Sequence, residues 1–88
     1  MTAGPAAQVV TLFGRPGCHL CEEARSGLLA LRRRGARFEL REIDIERDEE
    51  LHRRLLESIP VIEVDGEPAC ALYLDEDAVL ARLDTLST

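Results

Sequence analysis

The chain carries two cysteines three residues apart, in Cys18-His19-Leu20-Cys21, and a third, Cys70, far along the sequence. On a helix, residues three apart share one face, a single turn on. If a helix starts at Cys18, the unpaired N–H groups and the positive dipole end at its mouth favour a thiolate over a thiol. Cys18 is then an activated nucleophile, and Cys21 is placed to attack a disulfide formed on it. That is the chemistry of two-step thiol–disulfide exchange. Thiolate pKa values in such motifs span roughly 3.5 to 7, so the spacing supplies a mechanism without a redox potential. Two other uses of the pair stay open. As ligands, the thiols would serve a binding module or a metal or iron–sulfur carrier. A closed zinc site needs four donors, and the remaining candidates are Cys70, His52 and His19, which projects differently from the two thiols. As an oxidised structural bridge, the pair would mark a non-catalytic interaction domain.

The exchange reading requires a strand, a tight turn and a helix around the cysteines, in that order. Residues 8–13 (QVVTLF) are rich in β-branched and aromatic side chains and are closed by Gly14, Pro16 and Gly17, which fits a buried strand and its turn. From His19 on, Leu20, Ala24, Leu28 and Leu31 recur at helical spacing until Gly35 offers a stop. Glu22 and Glu23 in the first turn and Arg32, Arg33 and Arg34 in the last suit the helix dipole.

Residues 37–45 alternate as a strand, but the apolar parity switches near the end, which predicts one irregular position. Asp48 opens a second helix, to residue 57, with Leu51, Leu55 and Leu56 as its stripe. Ser58-Ile59-Pro60 breaks it, residues 61–64 form a strand, Asp65-Gly66 is a two-residue hairpin signal, and residues 68–74 return. Asp75, Glu76 and Asp77 then open a last helix with Val79, Leu80, Leu83 and Leu86 as its stripe. The order β-α-β-α-β-β-α predicts an α/β fold, with a four-stranded mixed sheet flanked by helices. It forms one domain over residues 8–88, behind a loose tail over residues 1–7.

Composition narrows the function classes. Eighty-eight residues enclose a single core, and 45% hydrophobic against 32% charged residues is too apolar for a disordered chain. A net charge of −6, from 17 acids and 11 bases that are all arginine, opposes nucleic-acid binding. No apolar run nears the ~18 residues of a membrane span, and no basic segment precedes an apolar one at the start. The expectation is a cytoplasmic protein with neither membrane nor nucleic-acid partner. Three cysteines are too few, and odd in number, for a disulfide-stapled secreted scaffold. Cys70, among Ala69, Ala71 and Leu72, reads as a small buried hydrophobe, and His52 as a surface residue of its helix. His19 faces either the Cys18 sulfur or solvent.

From Gln8 on, nearly the whole chain resembles the glutaredoxin-like branch of the thioredoxin superfamily. Two stretches carry the likeness: Val10-Thr11-Leu12-Phe13-Gly14-Arg15-Pro16-Gly17-Cys18-His19-Leu20-Cys21-Glu22-Glu23-Ala24, and Ile59-Pro60-Val61 ahead of the third strand. The resemblance implies a thioredoxin-like fold and a thiol–disulfide oxidoreductase with Cys18 as nucleophile, Cys21 as resolving thiol and no bound cofactor. Its substrate would be a disulfide-containing protein or a small-molecule thiol, and its reductant glutathione or a thioredoxin reductase. It also implies a cis Pro60 against the cysteines, with the Ile59 backbone presented to substrate; only about 5 to 6% of X–Pro bonds are cis. Arg15 matches a basic residue that helps bind a glutathione carboxylate, and on its own it reads equally as a solvated loop arginine. The sequence departs from the family in two places. His19-Leu20 replaces Pro-Tyr inside the motif. The Gly-Gly pair that cradles the γ-glutamyl end of glutathione is missing from residues 73–77, where Asp75 or Asp77 is the nearest substitute. Glutathione as co-substrate therefore has the resemblance in its favour and the absent cradle against it.

Overall fold

All seven expected elements occur in the expected order, with one 3₁₀ turn added. A computed structural model describes residues 8–83; the tail expected over residues 1–7 and Leu86 of the last stripe lie outside the described residues. The elements are β1 (Val9–Gly14), α1 (His19–Arg33), β2 (Glu39–Asp44), the 3₁₀ turn (Ile45–Arg47), α2 (Glu49–Leu55), β3 (Val61–Val64), β4 (Glu67–Ala71) and α3 (Glu76–Arg82). The strands lie in the order β2-β1-β3-β4. β1 pairs parallel with β2 and antiparallel with β3, and β3 pairs antiparallel with β4. The first strand is thus interior to the sheet, and its C-terminal end hands the chain directly to the cysteines.

Alternation along the strands sorts the core onto two faces. On one, Val10 and Leu12 of β1 and Ile62 and Val64 of β3 pack against Ala24, Leu28 and Leu31 of α1 and Val79 of α3, with Leu83 just beyond it. On the other, Phe13 and Val61 meet Ile45, with Leu51 and Leu55 of α2 packed alongside. Leu28 is fully enclosed, and truncating such a side chain to alanine costs about 2–5 kcal/mol.

The helix ends follow from local chemistry. Asp48 accepts N–H bonds from Glu50 and Leu51 and caps α2, and Asp75 accepts from Ala78 and caps α3. At the end of α1, Gly35 takes φ 109°. Its N–H bonds to the Arg32 carbonyl and the Ala36 N–H to the Leu31 carbonyl, the crossed pair of a Schellman cap. Asp65 and Gly66 both have positive φ, as a type I′ hairpin turn demands. The Asp65 carboxylate also accepts from the Val9 N–H and the Gln8 amide, which hold its pKa below the usual carboxylate range.

Three expectations need correction. The irregular position predicted in the second strand is absent there: β1 and β2 pair in unbroken register from Val9↔Glu39 to Gly14↔Asp44. The parity switch arises because β2 stops at Asp44, whose carboxylate accepts the Glu46 N–H, and Ile45 turns into the core from the 3₁₀ turn. The register shift lies instead between Ile62 and Glu63, opposite Pro68, which has no N–H to give the ladder. The returning strand ends at Ala71 rather than residue 74, because Leu72 takes φ 75° and leaves the pleat. The second helix ends at Leu55, two residues short of the expectation.

Candidate active site

β1, a turn and α1 together place the cysteine pair. Gly17 has φ 78°, and the Cys18 N–H closes the turn onto the Arg15 carbonyl at 3.3 Å. Cys18 is the N-cap of α1: its backbone is extended, and its Sγ accepts the Cys21 N–H at 3.2 Å. The sulfur therefore sits where unpaired helix N–H groups converge, a setting that stabilises negative charge. Cys18 and Cys21 are joined as a disulfide with Cα atoms 5.2 Å apart. The two sulfurs differ in access. Cys21 is 6% exposed in the cluster of Phe13, Ile45, Ile59 and Val61, whereas Cys18 lies half-buried against that cluster and keeps a face to solvent.

Gly14 makes room for the buried sulfur. A Cβ there would stand 2.9 Å from Cys21 Sγ and 3.0 Å from Cys21 Cβ, closer than side chains tolerate. The sequence reading gave Gly14 only a turn-closing role; a glycine ending an apolar strand was the signal for close approach. At Gly27 a Cβ would come too close only to the Leu74 Cδ2 methyl, the flexible end of a side chain that can turn aside.

The other predicted residues fall as follows. Ile59 and Pro60 are buried, the peptide bond between them is cis, and Ile59 shares its cluster with Cys21. The Leu72 N–H is shared between the Ser58 carbonyl at 3.0 Å and the Pro60 carbonyl at 2.8 Å, pinning the end of β4 to this loop. No sequence signal marked Leu72, because leucine rarely adopts positive φ. Arg15 is exposed in the turn, its Nη1 3.7 Å from Glu46 Oε2. Arg15 also lines a cleft of about 290 Å³ with Gly14, Cys21, Arg25 and Glu42. Across that cleft the Arg25 Nε donates to both Glu42 carboxylate oxygens at 3.0 Å. His19 takes the solvent side of its two readings: its side chain is 81% exposed and its Nε2 lies 2.9 Å from Glu23 Oε2.

Cys70 is apart from this group. It is partly buried against the α1/α3 face of the core, its Sγ accepts the Asp75 N–H at 3.4 Å, and burial pushes its thiol pKa up. Among the described residues no group of three or more His, Cys, Asp or Glu side chains could hold a metal ion. The site thus offers two sulfurs, half the donor set of a closed zinc site. No described helix is long and apolar enough to cross a membrane.

Known proteins place the chain in context. No curated protein matches it. Among solved structures, protein Ne2328 from Nitrosomonas europaea, determined by NMR in solution, is 33% identical with a TM-score of 0.78, over 94% of this chain and 99% of that one. A malarial protein is similar in fold at 20% identity and a TM-score of 0.62, over 86% of this chain and 92% of that one. The sequence profile of the glutaredoxin-like domain (DUF836) matches residues 9–84, from the first residue of β1 to just past α3. With its four-stranded mixed sheet, its close Cys18–Cys21 pair and that match over most of its length, the chain belongs to the glutaredoxin-like domain family.

Proposed function

We propose that this protein is a cytoplasmic thiol–disulfide oxidoreductase that uses Cys18 and Cys21 as its redox couple. The observation that carries the reading is the asymmetric pair itself: a partly exposed cysteine on the helix N-cap, bonded to a buried one a turn on. In the reduced chain the Cys18 thiolate attacks one sulfur of a substrate disulfide. The Cys18–substrate bond forms as the substrate bond breaks, and the departing sulfur takes a proton from water. Cys21, deprotonated, then attacks Cys18 Sγ; the internal disulfide forms and the second substrate sulfur leaves as a thiol. Two electrons pass from the dithiol to the substrate. A thiol reductant, glutathione or a thioredoxin reductase, restores the dithiol by the same exchange in reverse.

Ile59 and Pro60 lie buried behind the cysteine pair in this reading, and what they offer substrate is backbone. The Ile59 N–H already donates to the Leu55 carbonyl, so a substrate backbone would pair with the Ile59 carbonyl. Arg15 supplies a cation beside the cleft, offset in part by Glu46. The reading is tested by following reduction of bis(2-hydroxyethyl) disulfide by the reduced chain, with each donor in turn. In a single turnover with the donor left out, Cys21→Ser is expected to stop after the first exchange and accumulate a mixed disulfide on Cys18, read as a mass increase that added reductant removes. A Cys21→Ser protein that completes turnover without such an adduct would overturn the two-thiol scheme.

A further inference from the structure

Three of the large apolar side chains left exposed on this protein, Leu20, Leu72 and Tyr73, stand 48%, 53% and 63% open to solvent. All three belong to segments that frame the cysteine pair. Leu20 lies between the two cysteines on the first turn of α1, and it lines a cleft with Gly27, Tyr73 and Leu74. Leu72 precedes Tyr73 and is bonded through its N–H to the Ser58 and Pro60 carbonyls of the loop whose Ile59 packs with Cys21. A leucine at φ 75° is uncommon, and such conformations concentrate where function holds them. Here the conformation places two large apolar residues in succession on the surface where glycine would have left it bare. The cleft's polar lining is acidic, from Glu23 and Glu76, and Asp75 and Asp77 flank Glu76 in the chain. Of these acids Glu76 is paired with Arg34, and Glu23 with His19.

We propose that Leu20, Leu72 and Tyr73 form a docking lip for a polypeptide segment that carries the substrate disulfide on apolar residues with basic neighbours. The proposal rests on the redox reading above and names its substrate class. Apolar contact supplies attraction that a small hydrophilic disulfide cannot exploit, roughly in proportion to the area covered. The acidic rim favours arginine or lysine beside that segment and repels a ligand rich in carboxylates, such as glutathione disulfide. The reaction is the exchange already balanced: the peptide disulfide is the oxidant and the Cys18–Cys21 dithiol the reductant.

The test uses the full chain, reduced, in single turnover against four disulfides. Two are synthetic peptides with an internal disulfide, one flanked by Leu, Val and Lys and one by Ser and Glu. The others are glutathione disulfide and bis(2-hydroxyethyl) disulfide. The expected result is that the apolar-basic peptide reacts at least about tenfold faster than the acidic peptide or glutathione disulfide. Leu72→Gly with Tyr73→Ser is expected to abolish most of that preference while the bis(2-hydroxyethyl) disulfide rate stays within about twofold. Glycine accepts the φ of position 72 and Tyr73 is exposed, so this variant keeps its fold; Leu20→Ser is the independent second variant. Equal rates on all four disulfides, a faster reaction with glutathione disulfide, or a peptide preference that survives both variants would overturn the docking lip and leave the redox reading standing. If the unaltered chain reduces none of the four, the redox reading itself fails and the lip with it.

Discussion

Cys18 and Cys70 are the same side chain in two electrostatic settings. Cys18 lies half-buried at the mouth of a fifteen-residue helix, with a second sulfur bonded to it. Cys70 lies on the edge strand β4, half-buried against the core, with one backbone N–H from Asp75 as its polar contact. Desolvation dominates there and favours the neutral thiol. The contrast is one of position: a helix N-terminus is a setting that favours a thiolate once the disulfide is reduced, and the apolar bed of Cys70 favours the thiol.

The largest expected effect breaks the comparison if it fails. Cys18→Ser should bring disulfide reduction down to the uncatalysed background, while Cys70→Ser retains most of the rate. Equal losses in the two variants would mean that the settings are not functionally distinct. Labelling the reduced chain with iodoacetamide sharpens the contrast. At pH 7 Cys18 should react about tenfold faster than Cys70, allowing for the lower intrinsic nucleophilicity of a more acidic thiol. Cys70 labelling should climb only above the ordinary free-thiol value of about 8.5, since its pKa is raised. Peptide mapping after timed quenching reads both sites.

A smaller effect probes the room made for Cys21. Gly14→Ala puts a methyl where only about 3 Å is free, and the overpacking should cost about 1–3 kcal/mol in urea unfolding. No equivalent cost is expected at Gly66, where a Cβ meets nothing within 4 Å and only the positive φ resists substitution. The smallest effect concerns Cys70 in the oxidised chain, where the other two cysteines carry no proton. A thiol pKa raised by folding leaves stability intact below the unfolded value of about 8.5 and erodes it above, as the unfolded chain ionises first. The urea midpoint of the oxidised protein should therefore fall slightly more from pH 8 to 10 than that of Cys70→Ala.

Much of this was legible in the chain. The Cys18/Cys21 spacing, the strand before it, the helix after it and the capping acids Asp48 and Asp75 are all local signals, and local hydrogen bonds realise them. The reading failed where long-range packing overrides local pattern. Ile45 looked like a strand residue out of phase, and it is a core residue of a 3₁₀ turn. Leu72 looked like a strand continuing, and it is bent away by hydrogen bonds to a loop twelve and fourteen residues earlier.

The sequence by itself determined the order of elements and which two sulfurs share a helical turn, because both follow from periodicities of two and 3.6 residues. Only the tertiary structure decided that Cys21 is the enclosed member of the pair, that Gly14 must lack a side chain to hold it, and that Leu20, Leu72 and Tyr73 stay exposed. Those outcomes depend on where β1, the Ile59–Pro60 loop and the end of β4 meet in space. Contacts between segments as far apart as Val9 and Asp65 set that meeting, and no local propensity encodes it.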